Sequence, residues 1–388
     1  MVCLFLTNQL SAQTNYYFGS SGAMNSNVWS TTEGGPYNQF VDMTTGGILN
    51  FNVPATVTGP TAAWSVVKGI NVNANIKFTT HSGSAPTSLG ATVYPIYVAA
   101  GVTFDGGEQA FGGQTAGIIK NGPGTLSFLN GPNSGGYTLN EGTIVSSNSP
   151  NSFGAGAFTV NGGTIAANNA ITTRDFSAKF TSMTIGGDFT LGALTSTCPT
   201  SFSAASMIFG AANIGNVMRK ITIGGLGTYS FGTLSSTGSV GGIEVLATAG
   251  GVLSYKSANS YTGGTKLTSG IFQLGAANTL SGNLILNGGI FKTGVTTGFT
   301  NASDGTLQLT DNSTILLRSG IHSIYFNASN AVAWTPGKKL DIKGWLGVAG
   351  TTGTAGQVFI GTDATGVTAE QLAQITVNGN PAAILATG

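Results

Sequence analysis

Between Leu253 and Lys292 the sequence LSYKSANSYTGGTKLTSGIFQLGAANTLSGNLILNGGIFK carries one short unit twice. The unit reads as a strand run with a Gly-Ile-Phe step, Lys266–Leu274 and then Asn283–Lys292, with Gly270 and Gly289 in the same place 19 residues apart. An earlier pair, YTLNEGTIV (Tyr137–Val145) and FTVNGGTIA (Phe158–Ala166), sets Gly142 and Gly163 at a spacing of 21. A unit of about 20 residues, almost all strand and turn, cannot bury an apolar face alone. Stacked on its own copies it can, so the repeat points to an all-β solenoid.

The intervening sequence agrees. From Val102 to Leu317 strand-sized runs alternate apolar and polar residues, with Val160 and Ile165 on one face and Thr159 and Thr164 on the other. Gly-Gly, Asn-Gly and Gly-Pro pairs separate them and supply turns. No helical period occurs in this region, so successive strands either fold back as hairpins or coil in one sense. Hairpin sandwiches space their turns at about 8–12 residues. Like recurs after like at 16 to 21 residues at Gly270, Gly289 and Gly305, which favours coiling. At ~4.8 Å per coil, about fifteen coils make a rod on the order of 70 Å long.

The chain divides into four stretches. Residues 1–13, MVCLFLTNQLSAQ, are apolar, end in small and polar residues and lack a basic start, as in a partial signal peptide. Residues 14–100 hold Trp29, Trp64 and the Glu33-Gly34-Gly35-Pro36 turn, and read as an N-terminal cap with the first coils. Residues 101–333 are the repeats. Residues 334–388 change character and read as a C-terminal cap, with Thr368-Ala369-Glu370-Gln371 as a capping box that opens a helix over Ala369–Gln374.

Charged residues make up only 7% of the chain and leave a net +1, so no field draws it to nucleic acid or an anionic membrane. No apolar run reaches the ~20 residues of a transmembrane helix. With Cys3 in the signal segment, Cys198 stands alone and reads as a small buried hydrophobe.

The stretch SANSYTGGTKLTSGIFQLG (Ser257–Gly275) resembles the autotransporter-associated β-strand repeat, also called the passenger-associated transport repeat. Asn259, Tyr261, Gly263, Gly264, Thr265, Gly270, Leu274 and Gly275 match its Asn-x-Tyr-x-Gly-Gly-Thr turn, strand, Gly and Leu-Gly close. A looser copy spans Lys120–Ile144, where Asn133, Gly135, Gly136, Thr138 and Gly142 keep the order. The tail Trp334–Ile375 is similar to the end segment of secreted repeat proteins of this kind. The resemblance implies a right-handed parallel β-helix in an exported, cell-surface or extracellular protein of a Gram-negative bacterium. The chain departs from full-length autotransporters in that no series of amphipathic barrel strands follows, so the expectation is a passenger without its translocator, a truncated product or a protein exported by another route. It brings no catalytic, cofactor-binding or metal-binding residue.

Parallel β-helices also carry polysaccharide lyases and hydrolases, so paired carboxylates matter. Asp105 with Glu108 is the tightest pair and reads as a turn; Asp304 and Asp311 read the same way. Arg174-Asp175 and Arg219-Lys220 lack the acidic cluster of a lyase. His81 lies in a Gly/Ser/Pro loop and His322 between Ile321 and Ser323, far apart in sequence. The expected function is therefore a stalk or adhesin-like surface protein without catalysis, the alternative a carbohydrate-active enzyme. Its expected partners are surface glycans or a neighbouring cell surface, met by a face of Thr, Ser and Asn with Tyr261, Tyr229 or Trp334 nearby. Thr222 and scattered Thr pairs show no sustained Thr-x-Thr register, which argues against an ice-ordering array.

Overall fold

The computed structural model describes residues 13–385 except 25, 42–45, 59–66, 80–92, 108–116, 129–133, 147–152, 168–172, 193–205, 249, 278–279, 295–298, 319 and 352. Trp64, His81, Glu108, Asn133, Cys198 and the signal segment apart from Gln13 lie outside the described residues.

The strands stack into three long sheets of 11, 15 and 10 members, parallel throughout except at their ends. This is the parallel β-solenoid that the repeat predicts. The 15-stranded sheet runs from Gly22–Ala23 to Gln357–Ile360 and spans roughly 70 Å at ~4.8 Å per strand. Side chains alternate, so each coil sends one set inward. Phe104, Leu126, Ile144, Ile165, Leu191 and Ile223 form one such inward column, all buried. Another column stacks rings: Phe176 on Phe209 at 5.7 Å and Phe209 on Phe231 at 5.1 Å, both nearly parallel. Parallel stacking of like on like is what an in-register coil imposes, and each such pair adds about 0.5–1.5 kcal/mol beyond the area it buries.

The runs that alternation marks as single strands are each two strands. Tyr137–Leu139 lies in the first sheet and Thr143–Ser146 in the second, with Gly142 at φ +73° between them. Thr265–Leu267 lies in the second sheet and Ile271–Leu274 in the third, with Gly270 at φ +78° between them. The alternation slips by one residue at the corner, so that Leu139 and Ile144, and likewise Leu267 and Phe272, are both buried although five residues apart, while the corner glycine in its left-handed conformation turns the chain. The two sequence pairs therefore sit at different corners. Gly142 and Gly163 turn the chain from first sheet to second; Gly270 and Gly289 turn it from second to third.

The reason lies in how the coil changes along the rod. The first sheet ends at Leu234–Ser235 and the third begins at Arg174–Phe176. Described strands before Arg174 belong to the first and second sheets, those after Ser235 to the second and third, and the coils between use all three. Only the second sheet is common to the whole length.

At the N-terminal end, Trp29–Ser30 pairs antiparallel with Thr14–Phe18, and Trp29 packs buried against Phe18 and Phe51 while its indole N–H donates to the Met24 carbonyl at 2.9 Å. At the other end the segment from 334 does more than cover the core. Leu340–Lys343, Gln357–Ile360 and Ile375–Val377 each continue a sheet in parallel, and only Asn380–Pro381 turns back. The helix forms over Ala369–Leu372, shorter than the predicted Ala369–Gln374, with both arms of the capping box made between Thr368 and Gln371. Ile375 is buried in the core and Leu372 packs against it. No helix among the described residues is long and apolar enough to cross a membrane.

Candidate functional site

The residues that carry the repeat resemblance close the corner that leads into Thr265–Leu267. The Asn259 side chain accepts from the Leu234 N–H at 2.7 Å, so its amide binds the last strand of the first sheet just where that sheet ends. Tyr261 is fully buried, with its hydroxyl 2.9 Å from that of Tyr255 and 2.6 Å from that of Thr265. Burial pushes the Tyr261 phenol up to about 12, so it stays a neutral donor. Gly263 donates to the Gly241 carbonyl at 2.8 Å, Thr265 to that of Asn283 at 2.7 Å and Gly275 to that of Tyr255 at 2.6 Å, which tie each coil to its neighbours. Leu274 is buried in the core. In the looser copy, Gly135-Gly136 leads into a strand of the first sheet instead, one corner away.

Of the acidic pairs singled out for possible chemistry, Glu108 and the Asp304 side chain lie outside the described residues, and Asp105 and Asp311 are each anchored locally. Asp105 accepts from the Gly107 N–H at 3.0 Å as a turn anchor. Asp311 accepts from the Lys338 ammonium at 2.7 Å and from the Asn312 N–H, which hold its carboxyl below the usual range. Asp175 accepts from the Ser177 N–H, Asp188 from that of Lys220 and Glu141 from that of Gly122. Glu244 pairs with Lys266 at 3.1 Å and accepts from the Thr268 hydroxyl at 2.6 Å. Arg174 and His322 are buried inside the coil. Among the described residues no three His, Cys, Asp or Glu side chains are grouped to hold a metal ion.

The aromatics expected beside a glycan face are placed differently. Tyr261 and Tyr229 are fully buried and Trp334 nearly so, its indole donating to the Leu307 carbonyl at 3.1 Å. Tyr229 is turned inward by its strand Thr228–Phe231, whereas Tyr261 and Trp334 lie between strands and join the same buried core.

What the rod does present is a set of uncharged columns around the corner between first and second sheets. On the second sheet Thr103, Thr125, Thr143, Thr164, Thr190 and Thr222 stand opposite one another on six successive strands. On the first sheet Thr138, Thr159 and Thr184 do the same. At the corner, Asn140 donates to the Asn121 side chain at 2.8 Å and Asn161 to that of Asn140 at 2.9 Å. The same column begins with Asn71 donating to Asn50 at 2.9 Å, and between Asn71 and Asn121 the register places Tyr97. Tyr97 is 40% exposed and its ring lies against Gly122, where a Cβ would collide with it. The threonine column has a physical reason to have been missed. Each of these six strands supplies a single outward threonine, so none of them carries a Thr-x-Thr, and the row exists only across coils 18 to 32 residues apart. Comparisons with protein-family models, curated proteins and solved structures find no match for this chain.

Proposed function

We propose that the chain is an exported β-helix of the cell surface or medium, a stalk or adhesin-like passenger that acts by display and without catalysis. The observation that carries this reading is the outward face of threonine and asparagine columns, six rungs or about 24 Å long, at the corner of two parallel sheets in a rod of roughly 70 Å. An evenly repeated polar face suits many weak contacts that add up, which a rigid rod makes simultaneous. The anchoring of the described carboxylates in turns and ion pairs supports the non-catalytic part, as does the resemblance of Ser257–Gly275 to a passenger repeat.

Antibodies raised against the folded chain should label intact Gram-negative cells of the source, or their medium. Polysaccharides incubated with the purified chain should release no new reducing ends or unsaturated products. A signal confined to permeabilised cells would overturn the export, and product release would overturn the absence of catalysis.

A further inference from the structure

Resting on that reading of the rod as a display surface, we infer that the face around Tyr97 is a binding site for a linear, neutral glycan lying along the rod axis. Three observations meet there. The first is hydroxyl availability. None of the nine threonines in the two columns gives its hydroxyl to a described residue, and all but Thr222 are partly or well exposed. Some threonine hydroxyls elsewhere on the solenoid are engaged, as in Thr265 with Tyr261, Thr268 with Glu244, Thr310 with Asn287 and Thr376 with Asp341, but none in these two columns is. The unengaged ones are therefore free to bond something outside the chain.

The second is the aromatic. A tyrosine interrupts an otherwise continuous asparagine column, flanked by Asn71 on one side and Asn121 on the other. Its ring lies against Gly122 and keeps a large part of its surface open to water. Amide side chains beside an exposed ring offer donors, acceptors and an apolar platform at once, the combination that matches a pyranose with its hydroxyl rim and C–H faces. The third is the repeat. One rung every ~4.8 Å is the scale on which a linear glycan advances by one sugar, so neighbouring rungs meet neighbouring sugars. The columns themselves carry no cation, and the exposed carboxylates of Glu141 and Asp188 at the corner between them repel a uronic-acid polymer, so the face favours a neutral chain.

The test is calorimetric titration of the purified full chain with cellohexaose, maltohexaose, mannohexaose and chitohexaose, with a hexagalacturonate for comparison. Binding of at least one neutral hexasaccharide is expected, with Tyr97→Ala weakening it about tenfold, the loss typical of removing an anchoring aromatic. The triple variant T143V/T164V/T190V keeps volume and β preference while removing three hydroxyls, and should weaken the same ligand while leaving the unfolding transition in place. No neutral binding at about 1 mM (about −4 kcal/mol) overturns the inference, as does binding that both variants leave intact or a preference for the galacturonate. So does an assay in which the chain restrains ice growth but binds no sugar, which would assign the threonine columns to ordered water. Because the chain is purified, failure here is separate from failure of export.

Discussion

Lys120 points into the core of the solenoid and is fully buried, an uncommon place for an ammonium group. Its Nζ donates to the carbonyls of Asn121 at 2.9 Å, Gly122 at 2.5 Å and Glu141 at 3.3 Å, so it bridges two successive corners between first and second sheets. Loss of water pushes its pKa down from 10.5 to about 8, partly opposed by the Glu141 carboxylate. Between about pH 8 and 10.5 the unfolded chain holds a proton that the folded chain has released. Unfolding then takes up a proton, and stability rises with pH across that window. At ~1.4 kcal/mol per pH unit the gap between 10.5 and about 8 amounts to about 3 kcal/mol. The buried phenols act in the opposite sense. Tyr229 and Tyr261 are held up at about 12, so the folded chain keeps protons that the unfolded chain loses above about 10, and stability falls there. Subtracting the Lys120→Met variant, which leaves the phenols in place, isolates the lysine. Urea unfolding of both proteins at pH 7, 8, 9 and 10 should show the difference moving in favour of the wild type by most of about 3 kcal/mol above pH 8, with little change below it. A difference that stays flat, or moves the other way, refutes the buried-ammonium account.

Two other substitutions separate backbone from side-chain effects. Gly270 has φ +78°, and a Cβ there would collide with the Ala247 Cβ of the neighbouring coil, whereas Gly101 has φ +71° with nothing near it. Gly101→Ala should cost about 1–2 kcal/mol from the left-handed conformation alone, and Gly270→Ala about 1–3 kcal/mol more from overpacking, read as urea midpoints; equal costs would mean the coil shifts freely at that corner. Tyr261→Phe strips the hydroxyl that meets Tyr255 and Thr265 in the core and should cost about 1–3 kcal/mol. It should also lessen the fall in stability above about pH 10, and an unchanged fall would show that the phenol is not held neutral as its burial requires.

The fold class was legible because a period of about 20 residues with no helical pattern leaves few ways to bury an apolar face, and the coil count inferred from it agrees with the 15-stranded sheet. Facing was legible too: Val160 and Ile165 are buried, with Thr159 and Thr164 outward. What alternation could not convey was the corner. Inside a run such as Tyr137–Val145 the passage from one sheet to the next shows only as a glycine and a one-residue slip that leaves Leu139 and Ile144 both buried, and glycines are everywhere in this chain.

The same blindness concealed the candidate face, and it explains why reading one strand at a time pointed to the wrong aromatics. Tyr261 looks prominent because it sits in a glycine-rich turn, yet its hydroxyl completes a buried trio and it faces the core. Tyr97 sits in the ordinary strand Tyr94–Val98, where only its register with Asn71 and Asn121 reveals an exposed ring in an amide column. Register between coils depends on where each corner falls, and here corners shift as the third sheet enters at Arg174 and the first leaves at Ser235. A threonine column in the second sheet survives that change as far as Thr222 because the second sheet alone is continuous; at the next coil the register meets Leu246 and the column stops. The threonine and asparagine face therefore belongs to the part of the rod that holds both the first and second sheets, and the corner between those two sheets is what brings the two kinds of column side by side.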